Sequence, residues 1–290
     1  MEETSVRKDF SEISPTAKIP SYWRSFSDIP FSDEIAKAVD AEKTARNMIG
    51  ERPEALLAVT PAFFEIRYKA INYGLKKRGI GNVMELACGL SPRGLELVAG
   101  GGTYVGTDLP GMFAESSPVI LAIAGRMGMP IERLHLQAAN VLQEKELGDA
   151  GIHFGDQAFA VCNEGLLPYL TMAEKATMAQ NLRNLLLKNG SGCWITTDIA
   201  YQELMEKMSA ALGPGVEKAV RNVKQIVGND FIDKAVALKF YNDLGFSVEE
   251  YPLYAEDYPL STGSLIPANF METFLTVVTS VKAWILTPKA

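Results

Sequence analysis

Two regimes of hydrophobic spacing divide the chain near Gly81. Before it, apolar residues recur at helical intervals. Ile35, Ala38, Val39, Ala45 and Ile49 predict one helix over 33–49. Gly50 and Pro53 are expected to end it. A second helix is expected from Pro61, with Thr60 as its N-cap, through Phe64, Ile66, Tyr68 and Ile71 to Lys77. Lys76, Lys77 and Arg78 crowd its C-terminus, where cations complement the helix dipole in solvent.

After Gly81 short apolar runs alternate with helical stretches, the pattern of a parallel sheet. Strands are expected at 83–87, 103–107, 134–138, 158–163 and 192–197, with helices starting near Pro92 and running over 112–127 and 172–188. Residues 202–243 read as helical, broken by Gly213-Pro214-Gly215 and Gly228-Asn229, and two further strands are expected at 246–251 and 282–286. The expected fold is α/β, a seven-stranded, mostly parallel sheet of Rossmann-like form. Residues 1–78 would be a helical cover, and 79–290 the main domain with a helical insertion at about 202–243.

Composition narrows the function classes. Hydrophobic residues make up 47% of 290 and charged residues 22%, enough for a real core. A formal net charge of -7 speaks against nucleic acid as a partner. Cys88, Cys162 and Cys193 form no CxxC pair and read as buried thiols in a reducing compartment. His135 and His153 lack metal-ligand spacing, so no metal is expected. The charged start MEETSVRKDF has no signal-peptide pattern, and no apolar run is long enough to span a membrane. A cytoplasmic protein is expected.

Ligands of open α/β sheets sit beyond the carboxyl ends of the strands, where the strand order reverses. Here those ends carry Ala87-Cys88-Gly89, Asp108, Asn140, Asn163-Glu164 and Asp198. Gly89 lets a ligand approach the backbone. Asp108 follows at the separation, roughly 20 residues, at which an acid grips a ribose diol. A dinucleotide would call for GxGxxG, but the loop reads ACGLSPRG. It suits an adenosyl ligand without a pyrophosphate, and S-adenosylmethionine fits that description.

Several segments resemble the leucine carboxyl methyltransferase family and its bacterial polyketide O-methyltransferase relatives. Glu85 to Arg93 (ELACGLSPR) is similar to that family's ELGAGLDTR, Thr107-Asp108-Leu109-Pro110 to its xDxP, and Asn163 to Leu170 (NEGLLPYL) to its AEGxxxYL. Ser14 to Ala17, Lys239 to Val248 and Ala283 to Pro288 resemble weaker family elements. The resemblance implies a class I methyltransferase fold using S-adenosylmethionine. Gly89 would line its methionine part, Asp108 its ribose, and Glu164 the floor of the site. Arg67 and Lys18 would hold its carboxylate, and Leu109, Asn140 and Val141 would line its adenosine side. Two departures stand out. Asn140 occupies the place of the family acid that accepts the adenine amine, and Ser91-Pro92 replaces Asp-Thr beside Arg93, which points to a structural role for that arginine. An Asn oxygen accepts the same hydrogen bond without charge.

The resulting expectation is an O-methyltransferase acting on a carboxylate or hydroxyl of a small molecule or peptide. Tyr22, Phe64 and Tyr169 are candidates for lining the acceptor pocket. No residue is singled out as catalytic: a carboxylate acceptor needs no general base, a hydroxyl acceptor usually does, and no His stands at a strand end to serve as one. The alternatives are a non-catalytic S-adenosylmethionine-binding protein and a nucleotide-dependent oxidoreductase, the latter disfavoured by the missing glycines.

Overall fold

The computed structural model describes residues 17–49, 54–190, 192–212 and 230–290. Four helices lead in: α1 (Lys18–Arg24), α2 (Ser32–Ala38), α3 (Ala41–Ile49) and α4 (Glu54–Lys77). The alternating part follows as β1 (Asn82–Leu86), α5 (Arg93–Ala99), β2 (Thr103–Asp108), α6 (Pro110–Arg126), β3 (Leu134–Ala138), α7 (Glu144–Gly151), β4 (Phe159–Asn163), α8 (Met172–Lys188) and β5 (Gly192–Thr196). The chain closes with α9 (Gln202–Leu212), α10 (Lys234–Asp243), β6 (Phe246–Pro252), α11 (Ala268–Ser280) and β7 (Lys282–Pro288).

The seven strands form one sheet in the order β3-β2-β1-β4-β5-β7-β6. β1 to β5 run parallel, while β7 is antiparallel to both β5 and β6. Successive side chains on a strand face opposite ways, so each strand feeds two cores. Val83, Tyr104, Ile195 and Ile285 pack with Ile66, Ile71, Leu95, Ile120 and Val278 on one face. Met84, Leu86, Val105, Trp194 and Trp284 pack with Leu147, Met178, Leu182 and Tyr241 on the other. The long helix α4 lies against β5 and β7, with the Tyr251 hydroxyl donating to its Ala70 carbonyl at 2.7 Å.

Two helical expectations are corrected. The single helix over 33–49 is two helices, because Asp40 takes a left-handed φ of 49° between them. The helix expected to begin at Pro61 starts earlier, at Glu54, and carries Pro61 inside it. Thr60 is therefore no cap; its hydroxyl donates to the Leu56 carbonyl at 2.5 Å, next to the position where the proline supplies no N–H. Gly50 and Pro53, and the Gly213 to Gly215 and Gly228-Asn229 breaks, lie outside the described residues, as do Ser14 to Thr16. No helix among the described residues is long and apolar enough to cross a membrane.

Candidate functional site

From β1 the chain crosses to β2 and β3 on one side, then returns to β4 and β5 on the other. The carboxyl ends of β1 and β4 therefore flank the point where strand order reverses, the crevice in which such sheets bind ligands. The β1 end is a tight, strained turn: Ala87 and Gly89 both have φ of 49°. Ala87 holds that conformation despite its Cβ, at a cost of order 1 kcal/mol. The Gly89 N–H donates to Asp108 Oδ2 at 2.7 Å, and the Leu109 N–H donates to Asp108 Oδ1 at 2.8 Å. Burial pushes the Asp108 carboxyl up to about 6, against the pull of those two N–H groups. The Ala17 methyl stands 3.2 Å from where a Cβ on Gly89 would be, so the start of the N-terminal cover roofs the glycine turn.

Beneath the turn lies a buried polar network. Glu85 Oε1 accepts from Ser91 Oγ and Arg93 Nε, each at 3.1 Å, and Oε2 accepts from the Tyr104 hydroxyl at 2.7 Å. Arg93 also donates to Asn72 Oδ1 and stacks 4.2 Å over the Tyr68 ring. Ser91 and Arg93 thus fasten α5 to β1, which is the structural role the Ser91-Pro92 departure pointed to.

At the β4 end Glu164 is enclosed by arginines from three elements. Arg24 of α1 lies 2.8 Å away, Arg93 3.8 Å and Arg67 of α4 3.9 Å. Burial alone would raise the Glu164 carboxyl, but Arg24, Arg67 and Arg93 together hold it below its ordinary value. Despite these ion pairs, neither Glu164 oxygen accepts a well-directed hydrogen bond, and Arg24 Nε and Arg93 Nη2 donate none. Two arginine donors, Arg24 Nε and Arg93 Nη2, thus keep unused capacity beside Glu164. Arg67 itself is anchored to Asp198 at 2.8 Å.

The structure brings together Gly89, Asp108 and Leu109 at one end of the crevice and Glu164 and Arg67 at the other. Lys18 is not part of this cluster; it pairs with Glu115 of α6 at 2.6 Å. Asn140 caps its own turn, with its Oδ1 accepting from the Leu142 N–H at 3.0 Å. The neighbouring Val141 is buried in the same core that Leu109 packs against. Tyr22 of α1 is packed edge-on to Phe26, just beyond that helix, at 5.1 Å, Phe64 lies 6.0 Å from the Arg67 guanidinium, and Tyr169 is within electrostatic reach of that same Arg67. Sequence reasoning missed Arg24, whose only signal was a cation amid the aromatics of SYWRSF. It placed Asp198 at a strand end but gave it no role.

No protein-family model and no curated protein matches the sequence. Solved structures do resemble it. One is a candidate methyltransferase from Thermobifida fusca YX, 13% identical, matched over 94% of this chain and 95% of that one with a TM-score of 0.56. Another is the methyltransferase domain of bacterial CtHen1-C, 12% identical over 78% of this chain and 98% of that one, with a TM-score of 0.50. With its seven-stranded sheet and single reversed strand, this chain has the Rossmann-like fold of class I methyltransferases.

Proposed function

We propose that this chain is an S-adenosylmethionine-dependent O-methyltransferase of the leucine carboxyl methyltransferase kind, acting on a carboxylate or hydroxyl of a small molecule or peptide. The observation that carries the reading is the buried Glu164 carboxylate ringed by Arg24, Arg67 and Arg93 at the strand-order reversal, where the donors Arg24 Nε and Arg93 Nη2 make no hydrogen bond. Leaving such groups unsatisfied costs about 1–3 kcal/mol each. An amino-acid end, with its ammonium and carboxylate, matches an acid ringed by guanidinium donors.

The other end of the crevice suits adenosine. Gly89 bares backbone, Asp108 offers two carboxylate oxygens to vicinal hydroxyls, and Leu109 and Val141 are apolar. Asn140 keeps a second lone pair on its amide oxygen for an exocyclic amine. Bound here, S-adenosylmethionine would supply a methyl group on a sulfonium, already a good leaving group. The chain's own work is then to fix both ends of the ligand and to exclude water, so orientation carries most of the rate. Arg24, in place of Lys18, joins Arg67 as a holder of the carboxylate. Tyr22, Phe64 and Tyr169 are the residues proposed to line the acceptor side, and a carboxylate acceptor asks for no general base. A net charge of -7 fits a small or peptide acceptor in the cytoplasm better than nucleic acid.

The test is selective loss of affinity. Glu164→Gln should weaken S-adenosylhomocysteine by about tenfold or more, roughly 1.4 kcal/mol, while adenosine, which lacks the amino-acid end, binds as before. Equal losses for both ligands would remove Glu164 from the methionyl site.

A further inference from the structure

Asp198 follows β5 and is 7% exposed, yet it is one of the most heavily bonded side chains in the molecule. Its Oδ1 accepts from Arg67 Nη2 and from the Gly165 N–H, both at 2.8 Å. Its Oδ2 accepts from Asn163 Nδ2 at 2.6 Å and from the N–H groups of Leu166 and Leu167 at 2.8 and 3.3 Å. A carboxylate has about four lone-pair sites, so five donors leave nothing for a ligand. The donors fall into two sets. Four belong to 163–167, the turn that carries Glu164, and the fifth is the arginine shared with Glu164. Gly165 makes that turn with a φ of 81°, and a Cβ added there would stand 3.9 Å from Arg67 Nη2. Asn163 is fixed in turn by Trp194 Nε1, which donates to its Oδ1 at 2.7 Å.

We propose that Asp198 is the positioning residue of the site. It touches no ligand, but it sets the direction of Glu164 through the 163–167 turn and holds Arg67 at 2.8 Å, so that Arg67 stays 3.9 Å from Glu164 instead of closing on it. The inference rests on the reading above that Glu164 receives the amino-acid end of the ligand. Without the Asp198 charge, Arg67 has one acid left to approach, and it would compete with a ligand ammonium for Glu164. An Asn at 198 would also place an amide donor against the donors of Arg67 or Asn163.

Two measurements on the full chain test this. In Asp198→Asn, hydrogen exchange at the amides of Gly165, Leu166 and Leu167 should quicken by about tenfold or more while the β1 and β4 amides keep their protection. Uniform acceleration across the sheet would overturn the positioning role, because it would mean general destabilisation. For S-adenosylhomocysteine affinity, the losses in Asp198→Asn and Arg67→Met should be non-additive, with the double variant binding at least as well as Asp198→Asn alone because the competing guanidinium is gone. Additive losses would overturn action through Arg67. If the unaltered protein binds no S-adenosylhomocysteine, the proposed function fails, while the exchange pattern still decides whether Asp198 holds the turn.

Discussion

Asp108 is pulled two ways. Burial raises its carboxyl to about 6, and the Gly89 and Leu109 N–H groups oppose that rise. An acid whose folded value lies above its unfolded one binds more protons when folded, so its ionisation withdraws stability as pH rises through about 6. A ligand diol donates to the ionised form, and ligand affinity therefore moves the opposite way. The dissociation constant of S-adenosylhomocysteine should rise as pH falls below about 6, by up to about tenfold per pH unit. Asp108→Asn should bind more weakly and show no such slope between pH 5 and 7.5. A wild-type affinity flat across that range would mean Asp108 does not meet the ligand as a carboxylate. Glu164 differs, since its three arginines keep it ionised across the same range.

Among the elements, the junction of β1, α5 and β2 is the tightest part of the site's support. A Cβ on Gly94 would stand 2.6 Å from the Tyr104 ring, and Tyr104 is held in place by its hydrogen bond to Glu85. Gly94→Ala gains helix propensity of about 1 kcal/mol, but overpacking of this kind costs about 1–3 kcal/mol. With no room for the ring to turn, the upper part of that range should win. Thermal unfolding should begin lower by a few degrees, roughly 2–4 °C per net kcal/mol; an unchanged or raised Tm would show that the junction is looser than its geometry. This junction was legible in the sequence because it is local. An apolar run, a turn glycine and a following helix lie within 15 residues, and Asp108 ends the neighbouring strand. The helical regions were less legible. Asp40 breaks the 33–49 pattern by a backbone conformation that hydrophobic spacing does not encode. Pro61 reads as a helix start, yet α4 runs through it, with Val59 before the proline and Ala62 and Ile66 after it buried in one core, and that burial offsets the lost hydrogen bond. Helix α11 over Ala268–Ser280 was not anticipated at all.

Across the whole molecule, the candidate site is an assembly of charges contributed from distant parts of the chain. Glu164 meets Arg24 across 140 positions (164 minus 24), and Arg67 meets Asp198 across 131. No local pattern marks such pairs, which is why Arg24 escaped sequence reasoning while Gly89 and Asp108 did not. The N-terminal cover is fastened at more than one point: Lys69 of α4 bridges Asp28 and Glu65 at 2.7 and 2.6 Å, and Glu65 in turn binds Ser261 and Thr262. On the function proposed here, the cover, the glycine turn and the Glu164 cluster would enclose a ligand with an adenosine end and an amino-acid end. The most direct test is titration calorimetry of the unaltered protein with S-adenosylmethionine and S-adenosylhomocysteine. The account predicts one-to-one binding of both, with dissociation constants on the order of micromolar, about −8 kcal/mol. No binding heat with either ligand, from protein shown to be folded, would contradict it.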